Sequence, residues 1–179
     1  MAKYIAFFRA INVSGSRIIK MELLRETISS MGFKNIATYI QSGNLYFETR
    51  TSKNETLAKK IEKHLLEQLN FEVEVIVRSM EELKKTDQQD PYQHIEVDKT
   101  VAVYTNFLSA MPEKEQIELL YSYNNDIEEC KIIGQELYYL CYKNKGKTKM
   151  TNKLIESKLK VFATSRNRNT VRKLISLYD

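Results

Sequence analysis

The chain has 179 residues, of which 42% are hydrophobic and 28% are charged, and its net charge is +5. This composition predicts a globular protein with an apolar core and excludes a disordered chain. The apolar run before Arg9 has only five residues. Because such a run is too short for a signal peptide or a membrane span, we expect a cytoplasmic protein without membrane contact.

The first 79 residues carry alternating strand and helix patterns. The predicted elements are a strand at 3–10, a helix at 21–31, strands at 35–41 and 44–49, a helix after the capping-box pattern of Ser52 and Glu55, and a strand at 71–77. Their order, βαββαβ, is that of the ferredoxin-like unit.

Residues 80–179 repeat this order after a connecting helix that starts near residue 79. The predicted elements are a strand at 100–107, a helix from Pro112, a hairpin of 127–133 and 136–142, a helix at 151–160, a short strand at 161–164 and a last helix from about Asn167. We therefore predict an α+β fold with two tandem ferredoxin-like (βαββαβ) units, 1–79 and 80–179, that have antiparallel sheets and a C-terminal helix.

Cysteine and histidine are sparse. The chain has two cysteines and two histidines, which fits a reducing compartment and predicts neither a metal site nor a cofactor. If a tight turn at residues 134 and 135 closes the hairpin, Cys130 lies opposite Tyr139. This register argues against a disulfide between Cys130 and Cys141.

Several predicted strands are apolar on both faces, as at residues 4–8 and 137–142. The helices of a ferredoxin-like unit cover only one face of its sheet. The other face therefore packs on the second sheet, on a partner subunit or on a ligand.

Three polar segments, residues 9–15, 39–44 and 164–170, stand at the ends of predicted elements. Clustered Arg, Asn, Gln and Ser there indicate placed hydrogen-bonding groups, and we expect the three segments to converge on one site. The candidate ligand-binding residues are Arg9, Asn12, Lys20, Gln41, Ser42, Asn44, Arg166, Asn167, Arg168 and Asn169. The segments contain no nucleophile–base pair and no phosphate-loop motif, so they leave open whether the protein is an enzyme.

Each candidate also has a structural interpretation. Arg9 either binds a ligand or pairs with a carboxylate such as Glu22. Asn12 either binds a ligand or simply caps its loop. Residues 41–44 are typical turn chemistry, and Lys20 at a helix start opposes the helix dipole. Residues 166–169 either hold an anion at the start of the last helix or form an Asn cap with solvated arginines.

At these segments the sequence resembles the bacterial domain of unknown function 1697 family. The matching stretches are residues 4–13 with 20, 21, 24 and 25, then 38–44, and then 166–171. The resemblance implies a tandem ferredoxin-like fold and no established activity. Ala10 and Ser14 stand where the family usually has Gly, which weakens a phosphate cradle in the first loop, and Arg168 stands where it usually has Trp.

The charge is uneven along the chain. It is +4 over residues 1–79 (12 basic, 8 acidic), −8 over 80–142 (5 basic, 13 acidic) and +9 over 143–179 (11 basic, 2 acidic). We expect a small anionic or phosphorylated ligand in a polar, cationic cleft near the junction of the two domains. One alternative is single-stranded RNA or DNA binding by the basic C-terminal segment with Tyr138, Tyr139 and Tyr142. Another is a homodimer formed through open sheet faces.

Overall fold

The computed structural model describes residues 1–13 and 17–179. Within them the chain has a mixed α/β fold with two four-stranded antiparallel sheets and six helices. It divides into two compact units, Met1–Lys84 with Leu174–Asp179 and Lys85–Lys173. The predicted first polar segment includes Ser14 and Gly15, which lie outside the described residues, as does the departure from the family at Ser14.

The elements up to and including the connecting helix are β1 (Ala2–Phe8), α1 (Met21–Ser29), β2 (Lys34–Tyr39), β3 (Asn44–Thr49), α2 (Asn54–Leu69), β4 (Val75–Ser79) and α3 (Met80–Gln88). The strands of the first unit have the order β2-β3-β1-β4, and every neighbouring pair is antiparallel.

Alternation along β1 directs Tyr4, Ala6 and Phe8 into the core of the first unit. The buried stripe of α2 meets them there, because Ile61 and Leu65 are spaced four residues apart and therefore share one helix face. The opposite face of the sheet is also buried. Part of its cover is the end of the last helix, where the Tyr178 ring stacks on Tyr46 at 4.3 Å between centroids.

The second unit contains β5 (Val101–Leu108), α4 (Lys114–Tyr121), β6 (Glu128–Ile133), β7 (Glu136–Tyr142), α5 (Asn152–Leu159), β8 (Ala163–Asn167) and the start of α6 (Arg168–Tyr178). It repeats the arrangement of the first unit, with the strand order β6-β7-β5-β8. The end of α6, from Leu174, belongs to the first unit. The predicted hairpin register is confirmed, since Cys130 pairs with Tyr139. Both cysteines are free and buried.

Several element boundaries differ from the prediction, and the strand predicted at 71–77 is Val75–Ser79 in the structure. Helix α2 has Lys53 at its N-cap and no cap hydrogen bond from a described side chain, so the predicted capping box of Ser52 does not form. Instead, the backbone N–H of Ser52 donates to the Tyr4 hydroxyl at 3.1 Å. Strand β8 extends to Asn167 because residues 163–167 pair along β5, whereas the sequence predicted a strand ending at Thr164. No helix in the described ranges is long and apolar enough to cross a membrane.

Candidate functional site

Six of the ten candidate residues lie at one end of the first sheet, five in loops and Asn44 at the start of β3. The backbone N–H of Phe8 donates to the Gly43 carbonyl at 2.9 Å, and this bond sets the end of β1 beside the turn between β2 and β3. We call the loops of residues 9–13, 17–20 and 40–44 the Asn12 loops. They contain Arg9, Asn12, Lys20, Gln41, Ser42 and Asn44.

Asn12 ties these loops together. Its Nδ2 donates to the carbonyls of Gln41 at 2.9 Å and Ile19 at 3.0 Å. Its Oδ1 accepts from the Ile19 backbone N–H at 2.9 Å. One carboxamide therefore joins three chain segments, and Gln41 takes part through its backbone while its side chain is exposed.

The Asn12 loops store backbone strain. Four of the seven described non-glycine residues with positive φ lie here: Ala10 (+52°), Asn12 (+54°), Arg17 (+48°) and Ile40 (+52°). A left-handed conformation costs a residue with a side chain roughly 1–2 kcal/mol, and such strain is concentrated at functional sites. The conformation of Ala10 is one that favours glycine, which agrees with the glycine that the family resemblance implies at this position.

Two arginines converge on one carboxylate beside these loops. Arg9 and Arg17 both donate to Oε2 of Glu74, at 3.3 and 3.1 Å. The partner of Arg9 is thus Glu74 rather than the expected Glu22. Burial alone would raise the pKa of Glu74, but hydrogen bonds from its own backbone N–H and from Arg17, with the charges of both arginines, hold that pKa below its usual value. Neither Arg17 nor Glu74 belongs to a recognisable motif, and sequence reasoning missed both.

A further cation stands at the start of α1. Lys20 is the N-cap of this helix, its side chain is exposed, and no described side chain caps the helix. The N-terminal N–H groups carry the positive end of the helix dipole, so Lys20 adds charge of the same sign. Lys20 is thus a third cation in the Asn12 loops, beside Arg9 and Arg17.

The residues of the β2–β3 turn have structural roles. Asn44 is fully buried, and its Nδ2 donates to the Tyr39 carbonyl at 2.9 Å and to the Ser42 hydroxyl at 3.2 Å. Gly43 has a φ of +77°, and a Cβ there would lie 2.8 Å from the Cβ of Phe8. These contacts support the interpretation of residues 42–44 as turn chemistry, and they hold the turn against the end of β1.

The other four candidates belong to the second unit. Arg166 is buried in β8 and donates to the Thr164 hydroxyl and the Ser165 carbonyl, both at 2.8 Å. Burial lowers its pKa to about 10. Asn167 caps α6, since its Oδ1 accepts from the Thr170 N–H at 2.7 Å, and Asn169 is exposed. The expected convergence of this segment with the first two stays a prediction.

Arg168 is held inside the second unit rather than solvated. Its side chain is 6% exposed and donates to the carbonyls of Tyr92 at 2.8 Å and Ile95 at 2.6 Å. It also pairs with Asp90 at 3.5 Å, within the acidic middle of the chain. These contacts give Arg168 a structural role, whereas an anion at this helix start stays a prediction.

The tyrosines of β7 are mostly committed to the interior. Tyr138 is 1% exposed and its hydroxyl donates to the Thr86 carbonyl, and Tyr139 is 8% exposed and its hydroxyl donates to Glu128. Tyr142 is half-buried, with the Lys145 ammonium 3.9 Å from its ring centroid. Because stacking on the successive bases of a nucleic-acid strand needs rings at the outer surface, β7 does not support the nucleic-acid alternative.

Comparison with protein families matches residues 1–138 to the family described as "Protein of unknown function (DUF1697)". The third polar segment lies beyond the matched residues. No curated protein matches the chain. Among solved structures, the conserved bacterial protein SP0830 from Streptococcus pneumoniae is similar, with a TM-score of 0.79 over 98% of this chain and 97% of that chain. At 20% identity this similarity shows the fold alone.

Proposed function

The chain belongs to the family of the protein of unknown function DUF1697, and from this premise we propose that its first unit binds a small anionic or phosphorylated ligand at the Asn12 loops. We also propose that each unit is ferredoxin-like, because both sheets have the strand order that this topology requires and the same βαββαβ element order.

The observation that carries the ligand proposal is that Lys20, at the start of α1, stands in the same loops as Arg9 and Arg17. A cation at a helix N-terminus destabilises the helix by roughly 0.3–1 kcal/mol, and here its charge adds to those of two guanidinium groups. An anion there would meet the ammonium of Lys20 and the backbone N–H groups of the first turn of α1. Asn12 fixes this helix start, because it bonds both backbone groups of the adjacent Ile19.

The two arginines support the same chemistry. Arg9 and Arg17 both donate to Oε2 of Glu74, so two guanidinium groups stand together at the Asn12 loops. Guanidinium groups recognise phosphate through parallel N–H donors. The strained backbone at Ala10 and Ile40 adds support, since a folding role would favour relaxed conformations at these positions.

A thermal-shift screen with phosphate, pyrophosphate and phosphorylated metabolites tests the proposal. A ligand at a hundred times its Kd adds about 2.7 kcal/mol to the free energy of unfolding, which raises the Tm measurably. In Lys20→Ala we expect the affinity for the best ligand to fall at least about tenfold, or 1.4 kcal/mol.

The matched control is Lys53→Ala. Lys53 is also a helix N-cap without a cap hydrogen bond from a described side chain, but it stands at α2, outside the Asn12 loops. We expect this variant to bind as the wild type does. Equal loss of affinity in both variants would indicate non-specific attraction to a basic protein, and no loss in Lys20→Ala would contradict the proposed site.

A further inference from the structure

The second unit contains a cavity of about 290 Å³ on the face of its sheet that α5 covers. We call it the Asn106 cavity. Its walls include Tyr104 and Asn106 of β5, Cys141 of β7, Ser165 of β8 and Ile155 of α5. Small-molecule sites occupy roughly 300–1,000 Å³, so this cavity fits a compact ligand.

Asn106 is a buried polar residue of this cavity whose presence the fold does not explain. Its side chain shares a strand face with Ala102 and Leu108, which belong to the apolar core of the second unit. Asn106 is 1% exposed, and neither Nδ2 nor Oδ1 has a hydrogen-bond partner within residues 1–13 and 17–179. Buried polar groups in folded proteins are nearly always paired. Folding therefore gives no reason for a carboxamide at this position, and its place in the lining of the cavity makes it the candidate contact of a ligand.

A buried carboxylate fixes one wall of the cavity. Glu128, 2% exposed, accepts from the backbone N–H of Lys149 at 2.7 Å, from that of Met150 at 3.2 Å and from the Tyr139 hydroxyl at 2.6 Å. Met150 and Tyr139 both line the cavity. Because these bonds hold the loop before α5 in place, the cavity is formed before any ligand arrives.

The remaining lining indicates the chemistry of the ligand. The rings of Tyr104 and Tyr139 stack at 6.0 Å between centroids, and with Met150 and Ile155 they provide apolar surface. Exposed Lys143 stands at the rim. Burial raises the pKa of the Cys141 thiol, and the charge of Lys143 acts against that rise, which places this ammonium near the cavity.

We propose that the Asn106 cavity binds a small planar ligand whose edge presents adjacent hydrogen-bond donor and acceptor atoms, as a nucleobase does, and that Lys143 attracts a negative group on it. A carboxamide offers one donor and one acceptor side by side and pairs with such an edge through two bonds. This site lies in the second unit and uses none of the residues of the Asn12 loops.

The test uses uridine, adenosine and their 5′-monophosphates as probes, with affinities measured by isothermal titration calorimetry on the full chain. Asn106→Leu keeps the size of the side chain and removes its polar atoms. We expect this variant to lower the affinity for all bound probes at least tenfold and to raise the Tm of the ligand-free protein, because an unpaired buried carboxamide is destabilising.

Three further variants complete the test. Asn144→Leu makes the same replacement in the exposed loop next to Lys143, outside the cavity lining, and should leave affinities unchanged. Lys143→Gln should weaken the binding of monophosphates several-fold and leave nucleosides unaffected. Lys20→Ala should leave nucleoside binding unchanged, which separates this site from the one proposed in the first unit.

Three outcomes would overturn the proposal. One is that no probe binds the wild type at millimolar concentration, and another is that Asn106→Leu binds as well as the wild type. The third is a lower Tm in ligand-free Asn106→Leu, because that result would show that the carboxamide stabilises the fold.

Discussion

Replacing Arg168 by alanine should destabilise the second unit strongly. The change removes the guanidinium of Arg168, whose side chain is only 6% exposed. The Asp90 side chain, which is 3% exposed, then lacks its ion pair. It also takes away the donors to the carbonyls of Tyr92 and Ile95. All four residues lie in the second unit, so the loss is confined to one packed region.

The expected magnitude follows from burial. Removing one partner of a buried ion pair costs about 3–5 kcal/mol, a large share of a total stability of about 5–15 kcal/mol. The ion pair itself is long, at 3.5 Å, but the Asp90 carboxylate that loses it is buried. The Ile95 carbonyl also loses its donor at 2.6 Å, whereas the Tyr92 carbonyl still accepts from the Ile95 N–H at 2.9 Å. With a urea dependence of about 2 kcal/mol per molar, the midpoint should fall by about 2 M.

The assay is urea unfolding followed by circular dichroism, with Arg172→Ala as the matched control. Arg172 lies one turn along the same helix and pairs with Asp87 at 2.8 Å, but its side chain is 43% exposed. An exposed pair contributes about 0–1 kcal/mol, so this variant should unfold close to the wild type. If the two variants have stabilities within about 1 kcal/mol of each other, the structural role of Arg168 is refuted.

Three other predictions use simple variants or reagents. Gly43→Ala should destabilise the protein by about 1–3 kcal/mol more than Gly32→Ala in urea unfolding. Both glycines have φ near +78°, at +77° and +79°, but only at Gly43 would a described atom lie within 4 Å of the new Cβ. The pKa of Glu74 is below its ordinary value of 4.5 in the folded protein, so its ionised carboxylate stabilises the fold at higher pH, and this stabilisation is lost as the pH falls through the folded-state pKa. In Glu74→Gln the free energy of unfolding, measured between about pH 3 and 6, should therefore depend less on pH than in the wild type. Burial raises the pKa of Cys130 to about 12, so iodoacetamide at about pH 8 should label this thiol only after unfolding, as mass spectrometry of its peptide would show.

The sequence alone determined the elements and their order. Alternation in β1 and the four-residue spacing in α2 are local signals, because a strand or a helix repeats its buried face every two or 3.6 residues. The same locality explains the correct pairing of Cys130 with Tyr139, since a short hairpin turn sets its own register. Boundaries were less well predicted where tertiary pairing extends an element. Strand β8, for example, is extended to Asn167 by its pairing with β5.

The chemistry of the candidate residues was decided by the tertiary structure. The partner of Arg9 lies 65 residues away in sequence, and the carbonyls that hold Arg168 lie 76 and 73 residues away. Contacts between residues so far apart leave no periodic pattern in the sequence. Likewise, nothing in the sequence distinguishes Asn106 from other polar residues of a strand. Only the packing of α5 on the sheet buries it in a cavity. Burial and pairing are properties of the folded surroundings, so a side chain acquires its charge partner, or the lack of one, only when distant segments pack together.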